Sequence, residues 1–316
     1  MVMSETKYVA LKDKVIEACS KIIVGKEEEI FLLLVTFVCS GHVLLEDVPG
    51  TGKTMLLRGF SKLIGGEFKR VQFTPDLLPS DLTGIHYYNQ KESEFEFRPG
   101  PLFSNVVLAD EINRATPRTQ SSLLEAMEEA QITVDGTTFE LERPFMVMAT
   151  QNPLDSHGTF PLPDAQMDRF FMRLSLGYMS REQEGAVLSR PDTTDLIKEL
   201  SPIITADEIN DVQSAFKSVS VHEDVLNYIL DIVTTTRTSN DILMGVSTRG
   251  AKALYRAAQA CALLNGRDFV LPEDVKLIAP YVLSHRIQLR SAFGAKDAFN
   301  TVLSILNTLP VPVEDL

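Results

Sequence analysis

Apolar residues recur along this chain at two periods, and the way the periods alternate predicts an α/β fold. Residues 8–23 carry Val9, Leu11, Val15, Ile16, Ala18 and Ile22 at helical spacing, the mark of an amphipathic helix. Val24-Gly25-Lys26 interrupts it, and 27–39 resumes as a more apolar helix through Ile30, Leu32, Leu33, Leu34 and Phe37. Val43-Leu44-Leu45 is a short run that suits a buried strand, and 55–64 returns to helical spacing. Residues 69–73 predict a short strand, and the proline- and acid-containing 74–82 can start only a brief helix. Segment 84–97 alternates well enough for a hairpin with a polar tip at 89–93. A strand at 106–111, a helix at 119–130 (Leu123, Leu124, Met127 and Ala130 on one face), and buried strands at 145–149 and 171–176 follow. Between the 119–130 helix and the 145–149 strand, 131–141 predicts a hairpin turning on Asp135-Gly136, the clearest short-range signal in the chain.

After a helix beginning at Ser180 the composition shifts. Residues 191–194 and Ser201-Pro202 suggest a linker, with 237–245 a polar loop farther on. The rest predicts helices at 206–218 (Thr205 as N-cap, Glu208 three residues on), 222–235, 248–264, 272–280 and 295–309. The expected organisation is an α/β core over 1–190 with two hairpin inserts, at about 84–97 and 131–141, and a linker plus small helical bundle over 191–316.

Composition narrows the function classes. A hydrophobic share of 44% excludes a disordered chain. The net charge of −13 argues against sequence-independent nucleic-acid binding, which depends on neutralising phosphates. Cys19, Cys39 and Cys261 are odd in number and far apart, so they predict buried thiols in a reducing compartment rather than a disulfide set or zinc site. The five histidines have no ligand spacing. With no apolar leader and no run of membrane-spanning length, a cytoplasmic protein is expected.

The stretch with the most chemistry is Glu46-Asp47-Val48-Pro49-Gly50-Thr51-Gly52-Lys53-Thr54, between a predicted strand and a predicted helix. That arrangement is a P-loop: turn N–H groups and the helix N-terminus wrap phosphate, Lys53 reaches the β- and γ-phosphates, and Thr54 puts its hydroxyl on Mg²⁺. Pro49 through Met55 are the expected nucleotide-binding residues, joined by Val24 and Gly25 as adenine contacts unless Gly25 only turns the chain. Asp47 stands where the usual pattern has glycine, and is tolerable only if its carboxylate points away. Downstream, the strand at 106–111 ends in Asp110-Glu111, a Walker B pattern in which Asp110 holds Mg²⁺ and Glu111 polarises the attacking water. After the strand at 145–149, Asn152 is positioned to sense the γ-phosphate.

These residues, with Asp110-Glu111-Ile112-Asn113-Arg114-Ala115, Ala149-Thr150-Gln151-Asn152-Pro153 and residues 161–170 (Pro161-Leu162-Pro163 through Asp168-Arg169-Phe170), resemble the MoxR-type AAA+ ATPases over nearly the whole chain. The resemblance implies a P-loop core with a parallel five-stranded sheet of order 5-1-4-3-2 and a C-terminal all-α lid. It also implies that the hairpin at 84–97 is a helix-2 insert and that at 131–141 a pre-sensor-1 insert. It makes Arg169 an arginine finger for a neighbouring subunit, rather than half of a surface ion pair with Asp168. Arg249, at the start of the long lid helix, becomes sensor 2 rather than an exposed first-turn residue. Arg286 and Arg290 are expected at the surface or between subunits, and Glu125, Glu128 and Glu129 on a solvated or intersubunit face. The family further implies ATP and Mg²⁺, a homo-oligomeric ring that is commonly hexameric, protein clients to remodel, and a von Willebrand factor A domain partner. Two other readings stay open on sequence: an ATP-gated assembly scaffold with negligible hydrolysis, and a nucleic-acid motor, against which the charge and the acidic hairpin tips (Glu92, Glu94, Asp135) speak.

Overall fold

The computed structural model describes residues 2–47, 50–151, 158–189, 193–290 and 295–312. In chain order the strands are β1 (Val43–Glu46), β2 (Phe68–Gln72), β3 (Gly84–Asn89), β4 (Glu94–Pro99), β5 (Val106–Asp110), β6 (Gln131–Val134), β7 (Thr137–Glu140), β8 (Met146–Gln151), β9 (Met172–Leu174), β10 (Ile242–Met244) and β11 (Gln288–Leu289). Five of them form one parallel sheet in the order β2-β5-β8-β1-β9. Counting only those five along the chain and reading from the β9 edge, the order is 5-1-4-3-2, as expected.

Alternation along each strand divides the sheet's contacts between two apolar layers. Val43, Leu45, Val106, Leu108, Met146 and Met148 face the layer that holds Leu56, Leu57, Phe60 and Leu63 of the Lys53–Leu63 helix, together with the Val2–Ser20 and Glu27–Val38 helices. Leu44, Val107, Ala109, Val147 and Ala149 face the other, with Leu123, Leu124 and Met127 of the Pro117–Glu129 helix. Both faces of the central strands β1, β5 and β8 are therefore covered, which is why these are almost wholly apolar, while the edge strand β2 is largely polar and exposed. Because all five run the same way, their C-terminal ends share one edge: Gln72 lies opposite Asp110, and Glu46 opposite Gln151.

At the opposite edge His42 is a buried strut. Its Nδ1 accepts from the Val147 N–H at 2.9 Å, so Nε2 carries the proton and donates to the Met127 carbonyl at 2.9 Å. Burial pulls its pKa down to about 4, so it is neutral at physiological pH. It ties the end of the Pro117–Glu129 helix to the start of the sheet.

Both expected hairpins form, β3 with β4 and β6 with β7, the second through Asp135 and Gly136 at positive φ. They are joined to each other. The Phe97 and Phe139 rings stack with centroids 4.4 Å apart, and the His86 Nδ1 lies 2.9 Å from an Asp135 carboxylate oxygen. Tyr88 and Phe95 stay exposed near the tip of the first hairpin.

The C-terminal region is helical, with two departures in detail. A helix, Thr193–Glu199, occupies part of the expected linker, because Ile197 is buried and the Lys198 carbonyl accepts from Lys62 Nζ at 3.2 Å. The expected polar loop contains β10, which pairs antiparallel with β11 around buried Ile242. Arg286 is a correction: it is 6% exposed rather than superficial. Its Nε donates to Asp168 Oδ1 at 2.6 Å, and its terminal nitrogens donate to the carbonyls of Phe170, Phe171 and Val282. Burial lowers its pKa to about 10, which still leaves it charged at neutral pH. Cys19, Cys39 and Cys261 are buried and free, their thiols pushed up by burial and unreactive near neutrality. Among the described residues no helix is long and apolar enough to cross a membrane.

Candidate functional site

The chain leaves β1 into a turn that only glycine accommodates comfortably. Gly50 and Gly52 hold φ of +89° and +87°, and Gly52 caps the Lys53–Leu63 helix in the left-handed conformation. A Cβ on Gly50 would meet nothing within 4 Å, so the hollow above it is open. A positive-φ turn running into a helix N-terminus gathers main-chain N–H groups and positive dipole, the donor set that phosphate requires. The turn therefore fits a nucleotide's phosphates. Lys53 begins the helix, its Nζ 3.3 Å from the Asp47 carbonyl. Pro49 lies outside the described residues.

Asp47, the departure from the usual glycine, points away from the turn. Its carboxylate is buried and accepts from Ser175 Oγ (2.7 Å), the Leu176 N–H (2.7 Å) and the Gly177 N–H (3.0 Å) just beyond β9. The side chain is thus a brace between the start of the turn and the exit of the edge strand. Asp47→Ala strands those buried donors, so it is expected to lower unfolding stability by about 2–3 kcal/mol. Urea denaturation measures this, and an unchanged midpoint would count against the brace.

Opposite the turn, β5 delivers Asp110 and then Glu111. Glu111 has φ +58°, unusual outside glycine, and its N–H donates to Thr150 Oγ1 at 2.8 Å. The same hydroxyl donates to Asp110 Oδ1 at 2.6 Å, so one buried threonine sets both acids. Asp110 Oδ2 pairs with Arg70 at 2.6 Å. Glu111 Oε2 is shared by Gln72 Nε2 at 3.0 Å and Arg114 Nε at 2.9 Å. An open cleft of about 380 Å³ is lined by Gly50 through Met55, with Asp47, Arg70, Gln72, Asp110, Glu111, Thr150 and Gln151. That size lies within the ~300–1,000 Å³ usual for small-molecule sites. The Thr54 hydroxyl and the Asp110 carboxylate, both on this cleft, are the hard oxygen donors that Mg²⁺ favours.

Val24 and Gly25 do not line the cleft but follow Ile23, whose Cδ1 comes within 2.9 Å of a Cβ built on Gly52. Gly25 has φ +66°, and its carbonyl accepts from Gln183 Nε2 at 3.4 Å. The segment borders the turn through Ile23. Asn152 falls outside the described residues.

Two expected members are elsewhere. Arg169 precedes β9, and the Phe171 N–H two residues on donates to the His42 carbonyl at 2.8 Å, which sets this loop at the N-terminal edge of the sheet. Arg249 is beside it, because both pair with Glu128: Arg169 Nε with Oε2 at 3.1 Å and Arg249 Nη2 with Oε1 at 2.5 Å. The two arginines therefore sit across the sheet from their own P-loop. Asp168 pairs with Arg286 and accepts from Ser247 Oγ at 2.8 Å, so it is not an ion partner of its neighbour Arg169.

Thr150, Arg70, Gln72 and Glu128 escape a reading of the sequence alone. Arg70 and Gln72 share one face of β2 by simple alternation, but only the register that sets Gln72 opposite Asp110 brings them to the acids. Glu128 shows no signal beyond being one of several acids on its helix.

Residues 42–172 match the ATPase family associated with various cellular activities (AAA), and residues 234–304 match the AAA lid domain. The chain is 48% identical over 306 residues to the YeaC protein of Bacillus subtilis, covering 96% of each. It is 39% identical over 286 residues to a Mycobacterium tuberculosis protein named chaperone MoxR1, covering 88% of this chain and 75% of that one. To the MoxR protein of Paracoccus denitrificans it is 34% identical, with 93% and 94% covered. A crystal structure of a candidate ATPase from Cytophaga hutchinsonii superposes with a TM-score of 0.89 at 38% identity, covering 98% of both chains.

Proposed function

The chain belongs to the MoxR family of AAA+ ATPases, and from that premise we propose that it is the ATP-hydrolysing subunit of a hexameric ring that remodels protein clients. Lys53 and the turn bind the phosphates, and Val24 and Gly25 border the adenine. Thr54 and Asp110 are the residues that would hold Mg²⁺, whose charge offsets that of the phosphates. Glu111 polarises the attacking water, and Asn152 is the proposed γ-phosphate sensor. Arg169 as finger and Arg249 as sensor 2 serve the nucleotide of the adjoining subunit.

The observation that carries this reading is the separation within one chain. The cleft with Lys53, Asp110 and Glu111 is at the C-terminal edge of the sheet, while Arg169 and Arg249 are at the N-terminal edge, held by Glu128. A site split between opposite edges is completed when copies pack head to tail, and such contacts close into a ring when the rotation between copies divides a full turn. Client remodelling is supported by the chaperone name of the mycobacterial relative. The exposed Tyr88 and Phe95 of the first hairpin supply an apolar tip that a client could meet. A von Willebrand factor A domain protein is the partner proposed to bring those clients. The net charge of −13 sets a nucleic-acid track aside.

Specific ATPase activity is expected to climb with protein concentration, in step with an ATP-dependent rise in sedimenting mass. Constant specific activity from nanomolar to micromolar protein, with the mass of a single chain throughout, would remove the shared-site reading.

A further inference from the structure

Glu128 is one residue from the end of the Pro117–Glu129 helix, and the preceding Met127 carbonyl is fixed by the His42 strut. Each of its carboxylate oxygens has its own guanidinium, Oε2 that of Arg169 and Oε1 that of Arg249. The partners come from unrelated parts of the chain. Arg169 lies in the loop entering β9, and Arg249 in the first turn of the Thr248–Leu264 helix. Two cations brought this close repel each other unless an anion lies between them. The carboxylate makes a stable place for the pair, and it leaves the assembly with net positive charge.

We propose that Glu128 is the positioning residue that holds Arg169 and Arg249 as a pair for delivery to the neighbouring subunit's γ-phosphate. This rests on the reading that both arginines act across a subunit interface. An isolated exposed ion pair contributes little, and that is the ordinary expectation for a surface acid. Three features set Glu128 apart. Its side chain and that of Arg169 are about two-thirds buried, at 34% and 30% exposure. Its nearest approach to Arg169 is at Nε, the base of the guanidinium, so the terminal nitrogens, which make no hydrogen bond to another described residue, can form a fork toward phosphate oxygens. The elements carrying the three side chains are fixed independently: His42 fixes the helix end, and Asp168, through Arg286 and Ser247, locks the start of the lid helix to the loop that carries Arg169. Ser247 Oγ also accepts the Gly250 N–H at 3.1 Å, so the hydroxyl that caps the lid helix docks it as well. With those elements rigid, the carboxylate decides where two long, flexible side chains point. Ordering them before the neighbouring nucleotide arrives removes that entropy loss from the catalytic step.

The test compares Glu128→Gln with wild type, Arg169→Ala and Arg249→Ala. The amide keeps the shape but cannot hold two guanidinium groups. In Glu128→Gln, kcat is expected to fall by about 10- to 100-fold, with ATP affinity, read by a fluorescent nucleotide, within about twofold of wild type. Glu125→Gln, at an exposed acid of the same helix, keeps wild-type turnover and controls for helix charge. Introduced into the double variant Arg169→Ala/Arg249→Ala, Glu128→Gln adds no further loss, because it acts through those two arginines. Mixed with Glu111→Gln subunits, whose arginines are intact, Glu128→Gln regains turnover; mixed with Arg169→Ala subunits, it does not. Wild-type kcat in Glu128→Gln while Arg169→Ala is inactive would overturn the positioning role and leave the shared site standing. A raised kcat would make Glu128 a competitor of the phosphate, and also overturns it, as does a loss that multiplies with that of the double variant Arg169→Ala/Arg249→Ala. Silent Arg169→Ala and Arg249→Ala variants would instead remove the shared-site reading, and this proposal with it.

Discussion

Glu111→Gln is expected to lower kcat for ATP hydrolysis by about 10²–10⁴-fold, the range that a positioned general base supplies, while ATP stays bound. The substitution is close to a pure removal of basicity. The main chain at Glu111 is held by its own N–H on Thr150 Oγ1, and Asp110 is held by the same hydroxyl, so neither depends on the Glu111 carboxylate. A glutamine oxygen can still accept from Gln72 and Arg114, so the left-handed turn and the cleft keep their shape. What is lost is the negative charge that orients a water and draws its proton. Phosphate release would be followed at saturating ATP, and nucleotide retention by gel filtration of the loaded protein. Trapped ATP with little phosphate is the expected pair of results. Wild-type turnover in Glu111→Gln would sink the assignment and favour a scaffold in which hydrolysis is incidental.

Arg169→Ala is expected to remove more, about 10³–10⁵-fold in kcat, because an arginine finger neutralises charge that develops only in the transition state. The geometry makes the loss selective. Arg169 is at the edge of the sheet away from Lys53 and the glycine turn, so ATP affinity within one chain should hardly change. The variant should bind ATP as tightly as wild type, yet its specific activity should stay flat as protein concentration rises. A wild-type rate in Arg169→Ala would exclude it as the finger. Weakened ATP binding with normal kcat would place it in the ground-state site instead. Loss of Arg169 also frees one oxygen of Glu128 but leaves the pairing with Arg249, so the helix end keeps a partner and gross unfolding is not expected.

The centre of the sheet was legible in the sequence because its inner strands are buried on both faces and read as bare apolar runs, such as Val43-Leu44-Leu45 and Val106 through Ala109. Their spatial order was not contained in those runs; it came with the family resemblance, and the pairing of β1 with β8 and β9 bears it out. The glycine turn and the Asp110-Glu111 pair were legible because their chemistry is contiguous along the chain. The parts that escaped depend on register or on long-range contact. Thr150 is a plain polar residue until β8 lies beside β5, and Arg70 is a plain charge until β2 does. Arg286 follows an apolar helix in a polar segment, so sequence suggested exposure. The docking of Asp168 and three well-placed carbonyls turned it inward. The segment around Thr193 suggested a linker because its residues are weak helix formers, and burial of Ile197 outweighed that preference.

The ring stack between the two hairpins has a mechanical consequence. β3–β4 is inserted between β2 and β5, and β6–β7 between the Pro117–Glu129 helix and β8, so each hangs from a different part of the nucleotide cleft's framework. Stacked through Phe97 and Phe139, they cannot be deflected separately without parting two aromatic faces 4.4 Å apart. Load on either is shared by both, and travels by two routes, toward Asp110 through β5 and toward Thr150 through β8. Those routes meet again at the single hydroxyl that sets the two acids. The hairpins thus form a single stiff tooth, and a pull on that tooth is a strain on the spacing between the Asp110 and Glu111 carboxylates.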